Sequence, residues 1–109
     1  MLVYIAGAYR AATPGEVLAN IGRAADLSVE VLRLGHEVIC PHTMTHPLEA
    51  YDLADEVYLR NGLAQLERCD AVLVVQGPGL EQSEGTAIEV RAAREEGIRV
   101  YLTLEELRG

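Results

Sequence analysis

At 109 residues, half of them hydrophobic, the chain has the length for one domain with a real core and is short for two. Its net charge of −8, from 17 acidic against 9 basic residues, argues against a nucleic-acid polymer or a membrane surface as the main partner. Both of those are held by clustered Lys and Arg. A small phosphate ligand stays compatible with that charge, because a helix N-terminus and one Arg can hold it locally. Cys40 and Cys69 are too few for a disulfide framework and read as free thiols in a reducing compartment. The N-terminus lacks a basic flank or signal-like segment, and no apolar run approaches the roughly 20 residues that span a bilayer. A single domain over residues 1–109 with a cytoplasmic location is therefore expected. Its core must be aliphatic, since the chain has no Phe or Trp and only five Tyr.

Leu2 to Gly7 is continuously apolar, as in a strand covered on both faces of a parallel sheet. Ala8 to Ala12 reads as a loop carrying Tyr9 and Arg10. Thr13-Pro14-Gly15-Glu16 then forms a capping box with Pro at the first helical position, opening a helix that Gly35 ends. The spacing puts Leu18, Ile21, Ala25 and Leu32 on one face of that helix. A second strand spans His36 to Cys40. Pro41 to Pro47 is expected to be irregular, kept out of helix by the prolines at its two ends. A helix follows from about Asp52 to Arg68, with Leu53, Val57, Leu63 and Leu66 as core candidates and a break expected at Asn61-Gly62.

Ala71 to Val75 reads as the third strand, and Gly77-Pro78-Gly79 breaks the backbone after it. Beyond Ser83 a helical pattern runs to Gly97, Ile98 to Leu102 gives a fourth strand, and a second capping box at Thr103–Glu106 opens a terminal helix. Strands alternating with helices imply an α/β three-layer sandwich, flavodoxin- or Rossmann-like, around a parallel sheet of four to five strands. Ligands of such sheets bind beyond the carboxyl ends of the strands, where the strand order reverses. If the first and third strands are neighbours there, the loops Gly7–Arg10 and Gln76–Thr86 converge.

The second of these loops runs into the stretch Ser83-Glu84-Gly85-Thr86-Ala87-Ile88-Glu89, after the third strand and at the start of the helix. The neighbours of Glu89 at three and four positions are Gly85, Thr86, Ala92 and Ala93, all small, whereas Arg91, Arg94 and Glu95 fall on other faces. A glutamate on such a stripe faces a ligand or the sheet; the competing reading is a surface glutamate pairing with Arg94. Asp70 sits at the amino end of its strand, so a structural role fits it better. Cys40 and Cys69 read as small buried residues. His36, His42 and His46 do not make a metal site, because the prolines deny His42 and His46 the helix their spacing needs. His42, just after the second strand, is a further candidate for approach to a ligand. Tyr51, Tyr58 and Leu59 are candidates for an oligomer contact, and a homodimer or larger homo-oligomer is expected.

Tyr4-Ile5-Ala6-Gly7, Gly35, Pro41-His42, Cys69-Asp70-Ala71-Val72 and Ser83-x-Gly85-Thr86-x-x-Glu89, in this order, resemble the nucleoside 2-deoxyribosyltransferase superfamily, most closely its small bacterial and phage members. The resemblance covers nearly the whole chain. It implies that Glu89 attacks the anomeric carbon of a deoxyribose while the base leaves, as in retaining glycoside cleavage. It implies that Tyr4 orients this nucleophile, that no cofactor is needed, and that the partner is a small nucleoside or nucleotide. Ser83, with Gly85 and Thr86 behind it, would cap the helix and touch sugar or phosphate. Gly7 and Gly79 would line the substrate. The 2′-deoxynucleoside 5′-phosphate N-hydrolases of this superfamily hold phosphate with a Ser-x-Arg pair, matched here by Ala8 and Arg10, so the Arg is present and the Ser is not. Many members carry an aspartate at the position of Gly62. The adjacent Asn61 can hydrogen-bond a base edge but cannot act as a general acid.

A second reading, motivated by Gly62, is a binding module that keeps the pocket for a nucleotide or sugar phosphate without chemistry. A third is the phosphoribohydrolase group that releases cytokinin bases, whose motif sets Pro-Gly-Gly directly before Gly-Thr-x-x-Glu; here Leu80 to Ser83 and Glu84 intervene. A small α/β domain with a purely structural partner surface is the remaining alternative.

Overall fold

Successive side chains of a strand point to opposite faces, and in the first strand both faces are filled. The computed structural model describes all residues, Met1–Gly109. Its strands β1 (Leu2–Ala6), β2 (Glu37–Ile39), β3 (Ala71–Val74) and β4 (Arg99–Tyr101) form one parallel sheet in the order β2-β1-β3-β4. This is the flavodoxin-like order, with four strands. Helices α1 (Pro14–Arg33) and α5 (Leu104–Arg108) cover one face. There Val3, Ile5, Ala71 and Leu73 pack with Ala24, Val31 and Leu107. Helices α3 (Asp55–Leu66) and α4 (Glu84–Glu95) cover the other, where Tyr4, Ala6, Val72 and Val74 meet Leu66 and Ala93. The expected three-layer sandwich is present. No helix is long and apolar enough to cross a membrane.

The hydroxyl caps read from the sequence all form. Thr13 Oγ1 accepts the Glu16 N–H, Ser83 Oγ accepts the Thr86 N–H, and Thr103 Oγ1 accepts the Glu106 N–H. Asp70 is structural, as expected: its carboxylate accepts the Leu2 N–H at 2.7 Å and ties the entry of β3 to that of β1. Cys40 and Cys69 are free and buried, and burial pushes the Cys69 thiol up to about 11.

Four local expectations fail. The segment after β2 is helical: α2 (Pro41–Thr45) is followed by a 3-10 turn over His46–Ala50. Both prolines sit in the first turn of their helices, where a missing N–H has no partner to lose. The next helix begins at Asp55, not Asp52, and leaves Leu53 largely exposed. It also runs unbroken through Asn61-Gly62, and the glycine stands inside the helix where its neighbours leave no room for a side chain. Finally, α1 turns Asn20, Ala24, Ser28 and Val31 inward, while Leu18 and Leu32 stay exposed. Small residues let the helix lie close to the sheet. Its polar side chains also find backbone partners, with Ser28 Oγ donating to Ala24 O and Asn20 Nδ2 to Tyr9 O.

Candidate active site

The strand order reverses between β1 and β3, so the chains leaving these two strands diverge to opposite faces and open a crevice. They start in contact. The Val75 N–H donates to Ala6 O at 2.7 Å, and a Cβ on Gly7 would lie 2.8 Å from the Val75 Cβ. Only glycine permits that approach. The two predicted loops thus converge, and a cavity of about 830 Å³ opens beside them, within the size range of small-molecule sites.

Of the residues singled out from the sequence, Tyr4, Gly7, Arg10, His42, Asn61, Gly79, Ser83, Gly85, Thr86 and Glu89 all line this cavity. Ala8 does not; it contributes a carbonyl that accepts from His42 Nε2–H at 2.9 Å. Tyr58 and Leu59, read as contact candidates, line the cavity as well, whereas Tyr51 is exposed.

Glu89 reaches the cavity from the second turn of α4. Ser83 caps the helix, Thr86 and Ala93 are buried, and Glu89 lies on the same side between them. Within the stripe of small residues Thr86 and Ala93 face inward and Ala92 is half-buried, while Gly85 and Arg94 are exposed. On β1 the side chain of Tyr4, fully buried, projects toward the same helix and its hydroxyl donates to Glu89 Oε2. Burial pushes the Glu89 carboxyl up to about 6, while the Tyr4 hydrogen bond pulls the other way. Burial, and then the neighbouring Glu89 charge, raise Tyr4 far above its ordinary value, so the phenol keeps its proton and remains a donor. Gly62 completes the arrangement. A Cβ there would fall 2.6 Å from the Tyr4 hydroxyl oxygen and 3.1 Å from Glu89 Oε2. The pair exists in the space of a missing side chain.

Arg10 lines the cavity and is engaged by two carboxylates. Its guanidinium pairs with Asp55 at 2.8 Å and Glu49 at 3.3 Å, and the side chain is 58% exposed. His42 is buried, and burial lowers its pKa. Donation to the Ala8 carbonyl places its proton on Nε2 and leaves Nδ1 as a buried acceptor without a partner. Tyr9, Asn20 and Arg23 are among the lining residues that the sequence did not assign to the site. Tyr9 packs edge-on against His42 and hydrogen-bonds His46 Nδ1 at 2.9 Å. Asn20 and Arg23 reach the cavity from α1 and hydrogen-bond each other through their side chains. Asn20 lies off the Leu18–Ile21–Ala25–Leu32 face expected for α1, and its four-residue spacing from Ala24 is the local signal of its burial.

A doubly wound α/β domain with a buried tyrosine bonded to a half-buried glutamate at its topological switch point is the class these observations define. Residues 1–105 match the family described as "Domain of unknown function (DUF1937)", and the chain belongs to that family. Among solved structures, it is similar to that of a 2-deoxyribosyltransferase from the psychrotolerant bacterium Bacillus psychrosaccharolyticus. The TM-score is 0.66 at 23% identity, over 92% of this chain and 69% of that one, a likeness of fold. No curated protein matches the sequence.

Proposed function

We propose that this domain cleaves or transfers the N-glycosidic bond of a (deoxy)nucleoside or nucleoside monophosphate, with Glu89 as nucleophile. The observation that carries the reading is the half-buried Tyr4–Glu89 hydrogen bond opening on the cavity. A carboxylate held by one donor keeps its second oxygen for attack. That oxygen forms a bond to the anomeric carbon as the bond to the base nitrogen breaks, and the electron pair leaves with the base, which takes up a proton. Water or a second base then displaces Glu89, with retention over the two steps. Tyr4 orients the carboxylate and softens its charge, and the raised pKa makes Glu89 a more basic and better nucleophile once ionised. The fold likeness to a solved 2-deoxyribosyltransferase agrees with this reading.

A second reading is favoured by Gly62, which places no acid beside Glu89 to assist the leaving base. On that reading the cavity binds its ligand without turnover. The test is base release, followed by chromatography, from the common deoxynucleosides and their 5′-monophosphates. Catalysis predicts release by the native protein and a loss of about 1,000-fold or more in Glu89→Ala, as for removal of a covalent nucleophile. Saturable binding with no release, unchanged by Glu89→Ala, would support the binding module.

A further inference from the structure

A half-buried cation normally sits near an anion, because its desolvation has to be offset. Arg23 breaks this rule. The ion pairs of the protein are Arg10–Glu49, Arg10–Asp55 and Arg33–Glu30, and Arg23 takes part in none. Its side-chain partner is the Oδ1 of Asn20, which is itself 6% exposed and anchored by donation to the Tyr9 carbonyl. The arginine is thus held in place by a neutral group while most of its five N–H donors stay unspent. Glycine at position 77 allows the loop after β3 to close over it: a Cβ there would lie 2.9 Å from Arg23 Nε.

We propose that Arg23 is the anion-receiving group of the cavity containing Glu89, and that the ligand is a nucleoside monophosphate, not a free nucleoside. The assignment rests on the glycosidic reading above and specifies its substrate class. Two further features of the cavity agree. Ser83, Gly85 and Thr86 bring the N-terminus of α4, a helix of 12 residues, to the same space, and the positive end of its dipole favours a phosphate. Arg10, the other cation lining the cavity, is already engaged by two carboxylates, so a phosphate approaching it meets two negative charges. In a chain of net charge −8, a dedicated and unpaired guanidinium is what lets an anion enter at all.

Calorimetric titration of the four 2′-deoxynucleoside 5′-monophosphates, the matching nucleosides and inorganic phosphate tests this, using native protein, Arg23→Gln and Arg23→Lys. The native protein is expected to bind at least one monophosphate about tenfold or more tightly than its nucleoside, the scale of one charge-assisted contact. That ratio should collapse toward one in Arg23→Gln and be largely kept in Arg23→Lys, with unchanged circular dichroism. A ratio near one in the native protein overturns the proposal, as does a preference that survives Arg23→Gln or an equal loss for both ligand classes. Arg23 also borders a second depression of about 640 Å³ between α1 and the β4–α5 connection. Inorganic phosphate that binds through Arg23 yet is not displaced by any monophosphate would place the anion there and overturn the assignment. Absence of all binding overturns it as well. The glycosidic reading fails separately, by lack of base release.

Discussion

The two faces of one sheet do different work, although the same strands build them. On the α1–α5 face, Val3, Ile5, Ala71 and Leu73 are apolar and fully buried, and their role is cohesion. On the α3–α4 face the alternate residues include Tyr4, whose phenol carries a polar atom to the end of the core, where Glu89 accepts its hydrogen bond. On the first face the buried polar side chains, Asn20 and Ser28, are neutral and donate to backbone carbonyls. The other buries a donor and an ionisable acceptor, and places them where the strand order opens a cavity. The comparison teaches where stability and reactivity are separated: by a single step along a strand.

Substitutions on each face break or sharpen that contrast. Leu73→Ala on the cohesive face is expected to cost about 4 kcal/mol in urea unfolding, as for a fully buried leucine, and to leave the ionisation midpoint of Glu89 unchanged. A shifted midpoint would mean that the two faces are not independent.

Gly62→Ala acts on the other face. Its methyl meets the Tyr4 hydroxyl and the Glu89 carboxylate, both within 3.1 Å. The overpacking is expected to cost about 2–3 kcal/mol net, even though alanine is roughly 1 kcal/mol the better helix former. Base release should fall with it, measured beside thermal unfolding. A more stable protein with native activity would show that the gap at Gly62 has no role.

The smallest effect has the opposite sign. Glu89 has a folded-state pKa of about 6, above its ordinary value of 4.5. Its protonated form therefore favours the folded state at low pH, and this contribution is lost as pH rises through about 6. At pH 8 the native protein carries a buried charge that Glu89→Gln removes. The variant is expected to gain about 2 kcal/mol there and almost nothing below pH 4, followed by unfolding across pH. A gain that is flat with pH would place the cause in packing rather than in charge.

Much of the architecture could be read from local signals. Continuous apolar runs marked the buried strands, hydroxyl caps marked the starts of α1, α4 and α5, and the alternation of elements gave the layers. The α1 face was misread because hydrophobicity alone ranks Leu18 and Leu32 above Asn20 and Ser28. A helix lying close on a sheet selects for small residues whose polar atoms find backbone partners. The α2 segment was misread because Pro41 and Pro47 break a helix in its interior but start one at its first turn, and sequence does not say which turn a residue occupies.

The site divides along the same line. Ser83, Gly85, Thr86 and Glu89 form a local pattern on one helix start, so the sequence by itself determined that a carboxylate lies one turn inside a capped helix, on a stripe of small residues. The pairing with Tyr4, 85 positions away, was implied by resemblance alone, and only the tertiary structure decided that the two meet in the gap left by Gly62. The same holds for Arg23, left unpaired while Arg10 found two acids. Helical and strand periods fix which way a side chain points; the sheet order fixes what it points at.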